Sequence, residues 1–197
     1  MKRLLLIISL ILPSFTVFSQ GINYNTGETS TKNYYQEIPY ESINGKMIVE
    51  VKVAGKNCRF LFDTGAPTSI SKELALTSGS KNLQMGLISD ANGLKDSVLV
   101  VLTKSIQIGD LDFNNITAIA LIPEFMKCWN LSGIIGSNLL RNSIVRIDAA
   151  KKIITLTDQA DRLNLSKKHS TPLALNNNQS DPGIIVDLGR RVSGTRL

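Results

Sequence analysis

The chain has 197 residues, 43% of them hydrophobic and 19% charged, which suffices for one buried core and falls short of two domains of ordinary size. Its formal net charge of +6 does not mark a basic domain: residues 20–161 hold fourteen Lys and Arg against fourteen Asp and Glu, and the excess lies in Lys2, Arg3 and the scattered cations of residues 162–197. Those cations have no aromatic residues interleaved among them, so the tail reads as a solvated segment and nucleic acid is set aside as a partner.

Lys2 and Arg3 precede an apolar run from Leu4 to Ile11, and Val17 and Ser19 then stand at the minus-three and minus-one places of a cleavage site. Residues 1–19 therefore read as a secretory signal peptide, with export to the periplasm or the cell exterior. An N-terminal membrane anchor is the competing reading, for which the run is shorter than the roughly 20 residues of a spanning helix. With no further segment long and apolar enough to span a bilayer, no membrane association is expected after cleavage.

Residues 20–36 are polar and without period, which predicts a flexible leader. Met47, Val49, Val51 and Val53 then alternate with Glu50 and Lys52, the pattern of a strand with one wet face. Ala54 to Asn57 is a turn into a second strand, Cys58 to Phe62, and the hairpin delivers Asp63 at its end. Lys72 to Leu76 predicts one helical turn. Asn82 to Ser89 and Ser97 to Leu102 flank an Asn92-Gly93 pair, which favours a tight hairpin. Ser105 to Gly109 and Ile116 to Ile122 continue the strands across a polar turn at residues 110–115. Ser137 to Asn142 is the one convincing helical segment, followed by strands at Ser143 to Asp148 and Lys152 to Leu156. The sum is an all-β, barrel-like lobe over residues 37–160 with one short helix.

Past Leu156 the pattern changes. Asp158 to Leu165 has helical character, and Ser166 to Pro182 is polar and rich in asparagine, as in a linker. Laying Ile184 to Leu188 over Val49 to Val53 gives a weak internal repeat that brings Leu197 over Phe62. Residues 161–197 thus read as a polar linker and the start of a second lobe.

The chemistry lies in Phe60-Leu61-Phe62-Asp63-Thr64-Gly65-Ala66, an apolar strand ending in a carboxylate at its mouth, and in the later segment Gly133-Ile134-Ile135-Gly136-Ser137-Asn138-Leu139-Leu140. Alone, Asp-Thr-Gly also describes an ordinary turn, with Asp bonding its own backbone and Gly at positive φ. Together the two segments resemble the retropepsin-like aspartic peptidases, over roughly residues 36 to 158. The resemblance implies a retropepsin-like acid-protease β-barrel in which Asp63 is the catalytic acid, Thr64 fastens its loop to an opposing one, and Gly65 permits their close approach. It further implies that Ala66 and Gly93 meet the substrate, Gly93 as the tip of a flap that opens and closes over it.

Such chemistry uses a water held between two carboxylates, and needs no metal and no cofactor. Like charges about 3 Å apart cannot both ionise, so pairing two Asp-Thr-Gly loops creates the acid and the base together. One lobe supplies one carboxylate; the expected partners are a peptide or protein substrate and a second copy of the chain or a second lobe. A non-catalytic peptide-binding module with the same fold is the alternative, and a structural β-domain in which Asp63 marks a mere turn is the third. Cys58 and Cys128 each precede one of the two site segments, which run close together in the resembled fold; a disulfide and two separate thiols both remain open. His169, the single histidine, sits in a polar stretch and reads as solvent-exposed.

Overall fold

A computed structural model describes residues 22–89, 93–163, 165, 170–187 and 192–196; the expected signal peptide, His169 and Leu197 lie outside them. The strands in chain order are β1 (Glu28–Thr29), β2 (Tyr35–Pro39), β3 (Glu41–Ile43), β4 (Lys46–Val53), β5 (Lys56–Phe62), β6 (Ser69–Ile70), β7 (Lys81–Ser89), β8 (Lys95–Ile108), β9 (Leu111–Ile119), β10 (Gly133–Ile135), β11 (Ile144–Asp148), β12 (Ile153–Thr157), β13 (Ala174–Leu175), β14 (Pro182–Asp187) and β15 (Val192–Arg196). Three short α-helices interrupt them: α1 (Lys72–Thr77), α2 (Glu124–Cys128) and α3 (Ser137–Leu140). No described helix is long and apolar enough to cross a membrane.

The pairing order β9-β6-β10-β5-β4-β8 returns to β9 through a β8–β9 ladder. Six strands thus close a barrel, which removes the exposed edges an open sheet would carry. Alternation along β4 turns Val49, Val51 and Val53 into the barrel with Phe60, Phe62, Phe113 and Ile135, while Glu50 and Lys52 face water. Leu61 points the opposite way, into a smaller apolar cluster with Ile48, Met126 and Ile134. The strand that ends at Asp63 is therefore anchored on both faces. A second sheet, β11-β12-β2, adds Ile38, Ile154 and Leu156 to the main core. A third, β13-β14-β15, pairs β14 antiparallel with β15 from Gly183 opposite Arg196 to Asp187 opposite Val192.

Several expectations are corrected. The polar turn expected at residues 110–115 is two residues, Gly109 and Asp110, with Gly109 at φ 57°. Leu111 and Phe113, each 2% exposed, already belong to β9 and pack into the core, with Asp112 on the opposite, exposed face. Among the described residues, α1 and α3 fall where helical segments were expected, at Lys72 to Leu76 and Ser137 to Asn142, and α2 is added to them. Among the described residues from Asp158 to Leu165, the helical segment is a 3-10 turn at Ala160–Leu163. Residues 22–36 are not a loose leader: β1 pairs with β9, β2 pairs with β12, and Arg141 donates to the carbonyls of Thr26 and Gly27. The expected linker also folds back, since Asn178 accepts the Tyr24 N–H at 2.8 Å.

Candidate active site

Asp63 is the first residue past β5, and it is seated from both sides. Its N–H donates to the Ile135 carbonyl at 3.0 Å, extending the parallel register in which Phe60, Leu61 and Phe62 face Gly133, Ile134 and Ile135. Its carboxylate Oδ1 accepts the Gly65 N–H at 2.9 Å. This is the self-bonded geometry of an ordinary Asp-Thr-Gly turn, and it holds one carboxylate oxygen in place. Asp63 and Thr64 are half-buried and Gly65 is exposed, so the acid is rigid and still reachable.

The loop rests on the second segment. A Cβ added at Gly136 would overlap Thr68 N, the Pro67 carbonyl carbon and the Ala66 oxygen, so only glycine lets β10 pass this close beneath the loop. Ala66 O accepts both the N–H and the hydroxyl of Ser137, at 2.9 and 3.2 Å. Thr68, fully buried, donates its N–H to Asn138 Oδ1 at 2.7 Å, accepts the Gly136 N–H on its hydroxyl at 3.3 Å, and accepts Ile119 N–H on its carbonyl at 2.9 Å. Asn138 Nδ2 then donates to the carbonyls of Tyr24 and Thr117, each at 2.9 Å. Every polar group between Asp63 and α3 that is named here is used to hold the loop's shape.

Residues 49–139 match the family model described as aspartyl protease. The match makes this segment similar to aspartyl proteases. No curated protein matches the chain. Among solved structures, the chain is similar to a retropepsin-like aspartic protease from Rickettsia conorii, with 22% identity, a TM-score of 0.46, and coverage of 66% of this chain and 94% of that one.

Within this lobe the sequence-expected site residues divide into two places. Asp63, Thr64, Gly65 and Ala66 are consecutive on the one loop, with the Ala66 side chain packed against the smaller apolar cluster. Gly93 stands at the far end of the β7–β8 hairpin, exposed and at φ 80°. Thr68, Ser137 and Asn138 hold the loop although no role was expected of them; their spacing beside Asp63 and Gly136 is the available signal. Tyr24 and Gln179, which reach the site through Asn138 and Ser137, carry no sequence signal of their own. A groove of about 550 Å³ along β2 and β4, lined by Glu37, Glu41, Glu50, Lys52, Arg59 and Asp110, does not include the Asp63 loop. Among the described residues no three His, Cys, Asp or Glu side chains gather as a metal site. Cys58 and Cys128 are both free, which leaves them as two separate thiols in this structure.

Proposed function

We propose that the chain is an exported aspartic endopeptidase that hydrolyses peptide bonds through a water shared by Asp63 and a partner aspartate. One observation carries the reading: the Asp63 carboxylate is pinned by the Gly65 N–H on a loop whose backbone is locked to Gly136, Ser137 and Asn138. A group held this rigidly loses little freedom on reaching the transition state, and electrostatic catalysis depends on such preorganisation.

The partner carboxylate comes from a second copy of the chain or from a second lobe. One aspartate is ionised and takes the water's proton; the other is protonated and polarises the scissile carbonyl. Thr64 fastens the paired loops and Gly65 admits their approach. Gly93, with open space among the described residues where a side chain would start, serves as the tip of a hairpin lid that covers a peptide. The apolar run at residues 4–11 supports export to the periplasm or beyond.

The test is cleavage of an unfolded protein by the purified protein from acidic to neutral pH, beside Asp63→Asn. Cleavage that vanishes in the variant is the expected result. Cleavage that survives it sinks the aspartic mechanism, and none in either protein favours the peptide-binding module. Ala66 supplies no hydroxyl to the neighbouring carboxylate, whereas a threonine there would stabilise the anion. Ala66→Thr should move the pH optimum of cleavage downward; a full pH–rate profile of both proteins checks it.

A further inference from the structure

β2 and β3 are one run of chain that changes partners at Tyr40. β3 pairs antiparallel with β4, Glu41 opposite Ile48, and the same register carried backwards would set Pro39 opposite Glu50 and Glu37 opposite Lys52. Instead β2 turns to β12, and the Tyr40 N–H donates to the Lys152 carbonyl at 3.0 Å. The run therefore forks away from β4. The fork opens the groove of about 550 Å³, with residues 37–41 on one wall and residues 48–52 on the other. Gln107, Gly109 and Asp110 also line it, and Gln36 ties their turn to β2 by accepting the Asp110 N–H on Oε1 at 3.0 Å.

Both walls present main chain that the sheets leave open. Ala54 and Gly55, at φ 51° and 77°, form a two-residue turn that closes on the Val53–Lys56 pair. Antiparallel pairs alternate in their bonding, so Val49, Val51 and Val53 turn their N–H and C=O to β5, and Ile48, Glu50 and Lys52 turn theirs to the opposite edge. There β3 takes Ile48 and β8 takes Lys52. Glu50, between them, has no strand opposite it on that side among the described residues. The Tyr40–Lys152 bond sets the same alternation on β2, so Glu37 and Pro39 face its free edge, where Gln36 Nε2 takes the Glu37 carbonyl at 3.1 Å. The charges are unmatched as well. Arg59 is committed to Glu41 and to the Trp129 carbonyl, and among the described residues the exposed Glu37, Glu50 and Asp110 enter no ion pair.

We propose that this fork is a docking groove for an extended segment of a partner protein that carries lysine or arginine, bound as an added strand between β2 and β4. The open edges at Glu37 and Glu50 select extended main chain, as in strand addition to any unpaired sheet edge. The unmatched carboxylates of Glu37, Glu50 and Asp110 select basic side chains through charge-assisted hydrogen bonds. The groove's volume falls within the range of ligand sites. The Asp63 loop is not part of its lining, so the docking does not rest on the endopeptidase reading.

The probe is a fluorescein-labelled heptapeptide of alternating threonine and lysine, followed by anisotropy on the purified protein at low salt. The groove variant is Glu37→Gln, Glu50→Gln, Asp110→Asn; a control of equal charge change is Glu73→Gln, Glu124→Gln, Asp161→Asn, at three exposed positions elsewhere. Each is checked for an unchanged melting temperature. Binding is expected to weaken at least tenfold in the groove variant and less than twofold in the control, and to be absent for a threonine–glutamate peptide. On the unmodified protein, a lysine peptide with N-methylated amides should bind at least tenfold more weakly, because it keeps the charge and loses the strand bonds. Equal weakening in the two triple variants, or no binding at all, overturns the groove. Equal binding of the N-methylated peptide, or competition by spermidine at the same concentration as unlabelled peptide, leaves a cation site and overturns the added strand. A dimer in sedimentation that the groove variant dissolves would assign the groove to a second copy and overturn the partner segment. Asp63→Asn should bind the probe as the unmodified protein does, whether or not either cleaves protein; binding lost with Asp63 would put the peptide at that loop and overturn a separate groove.

Discussion

Asn138 is fully buried and spends its whole amide on the site: Oδ1 receives Thr68 N–H, and Nδ2 serves Tyr24 and Thr117. Truncation to alanine would strand the Thr68 donor and the Thr117 acceptor, at about 1–3 kcal/mol for each unsatisfied buried group. Asn138→Ala is therefore expected to lose roughly 2–6 kcal/mol of stability on that principle, read by urea unfolding, and to lose Asp63-dependent cleavage even where the variant stays folded. Asn138→Asp keeps the acceptor for Thr68 and loses both donors, so it should fall between. The cysteines offer a second check. Burial pushes the Cys58 thiol up, partly opposed by a hydrogen bond with Ser132 and by the charge of Lys56, whereas Cys128 is exposed. Two thiols should titrate in denaturant; in the native protein one, Cys128, should alkylate fast and Cys58 slowly, as mass mapping after a brief iodoacetamide pulse would show.

At the scale of elements, Asp158 follows β12 and clasps the run into β2, accepting the Asn33 N–H at 2.9 Å. Desolvation works against its charge, but the Asn33 N–H, the Gln159 side chain and the N–H groups of Asp158 and Tyr34 outweigh it and hold the carboxyl below the usual range. A lowered folded value means that this stabilisation is complete above the unfolded value near 4 and fades as pH falls through the folded one. The melting temperature of Asp158→Asn should thus lie below that of the unmodified protein at neutral pH, and the gap should close in acid below about pH 4. These clasps also explain what the residues did and did not announce. The β4–β5 hairpin was legible because Val49, Val51 and Val53 alternate cleanly with charges, and the Asp63 loop because two motifs match as a pair. The start of β9 was not, because Asp110, Asp112, Asn114 and Asn115 mask the inward Leu111 and Phe113. Residues 22–36 gave no period, since what orders them is remote: Thr26 meets Thr117 across 91 positions and Arg141 reaches Gly27 across 114. Bonds of that range leave no local pattern to read.

For the molecule as a whole, one lobe carries one Asp63, so the proposed chemistry is a property of two lobes together. If the second lobe is another copy, specific activity should fall on dilution, and a tenfold excess of Asp63→Asn should quench the unmodified protein by drawing it into mixed pairs. Activity that is indifferent to both would place the partner carboxylate elsewhere. The parallel pairing of β10 with β5 has a further consequence, in time. Thr68 waits for Asn138, 70 positions on, and contacts so distant in sequence close slowly. At synthesis rates of about 5–20 residues per second, roughly 4–14 seconds separate the two. Through that interval the Asp63 loop has no floor beneath it, so the carboxylate takes its folded position only once residues 133–138 have arrived to seat it. The order of the chain is thereby also a delay on the proposed chemistry.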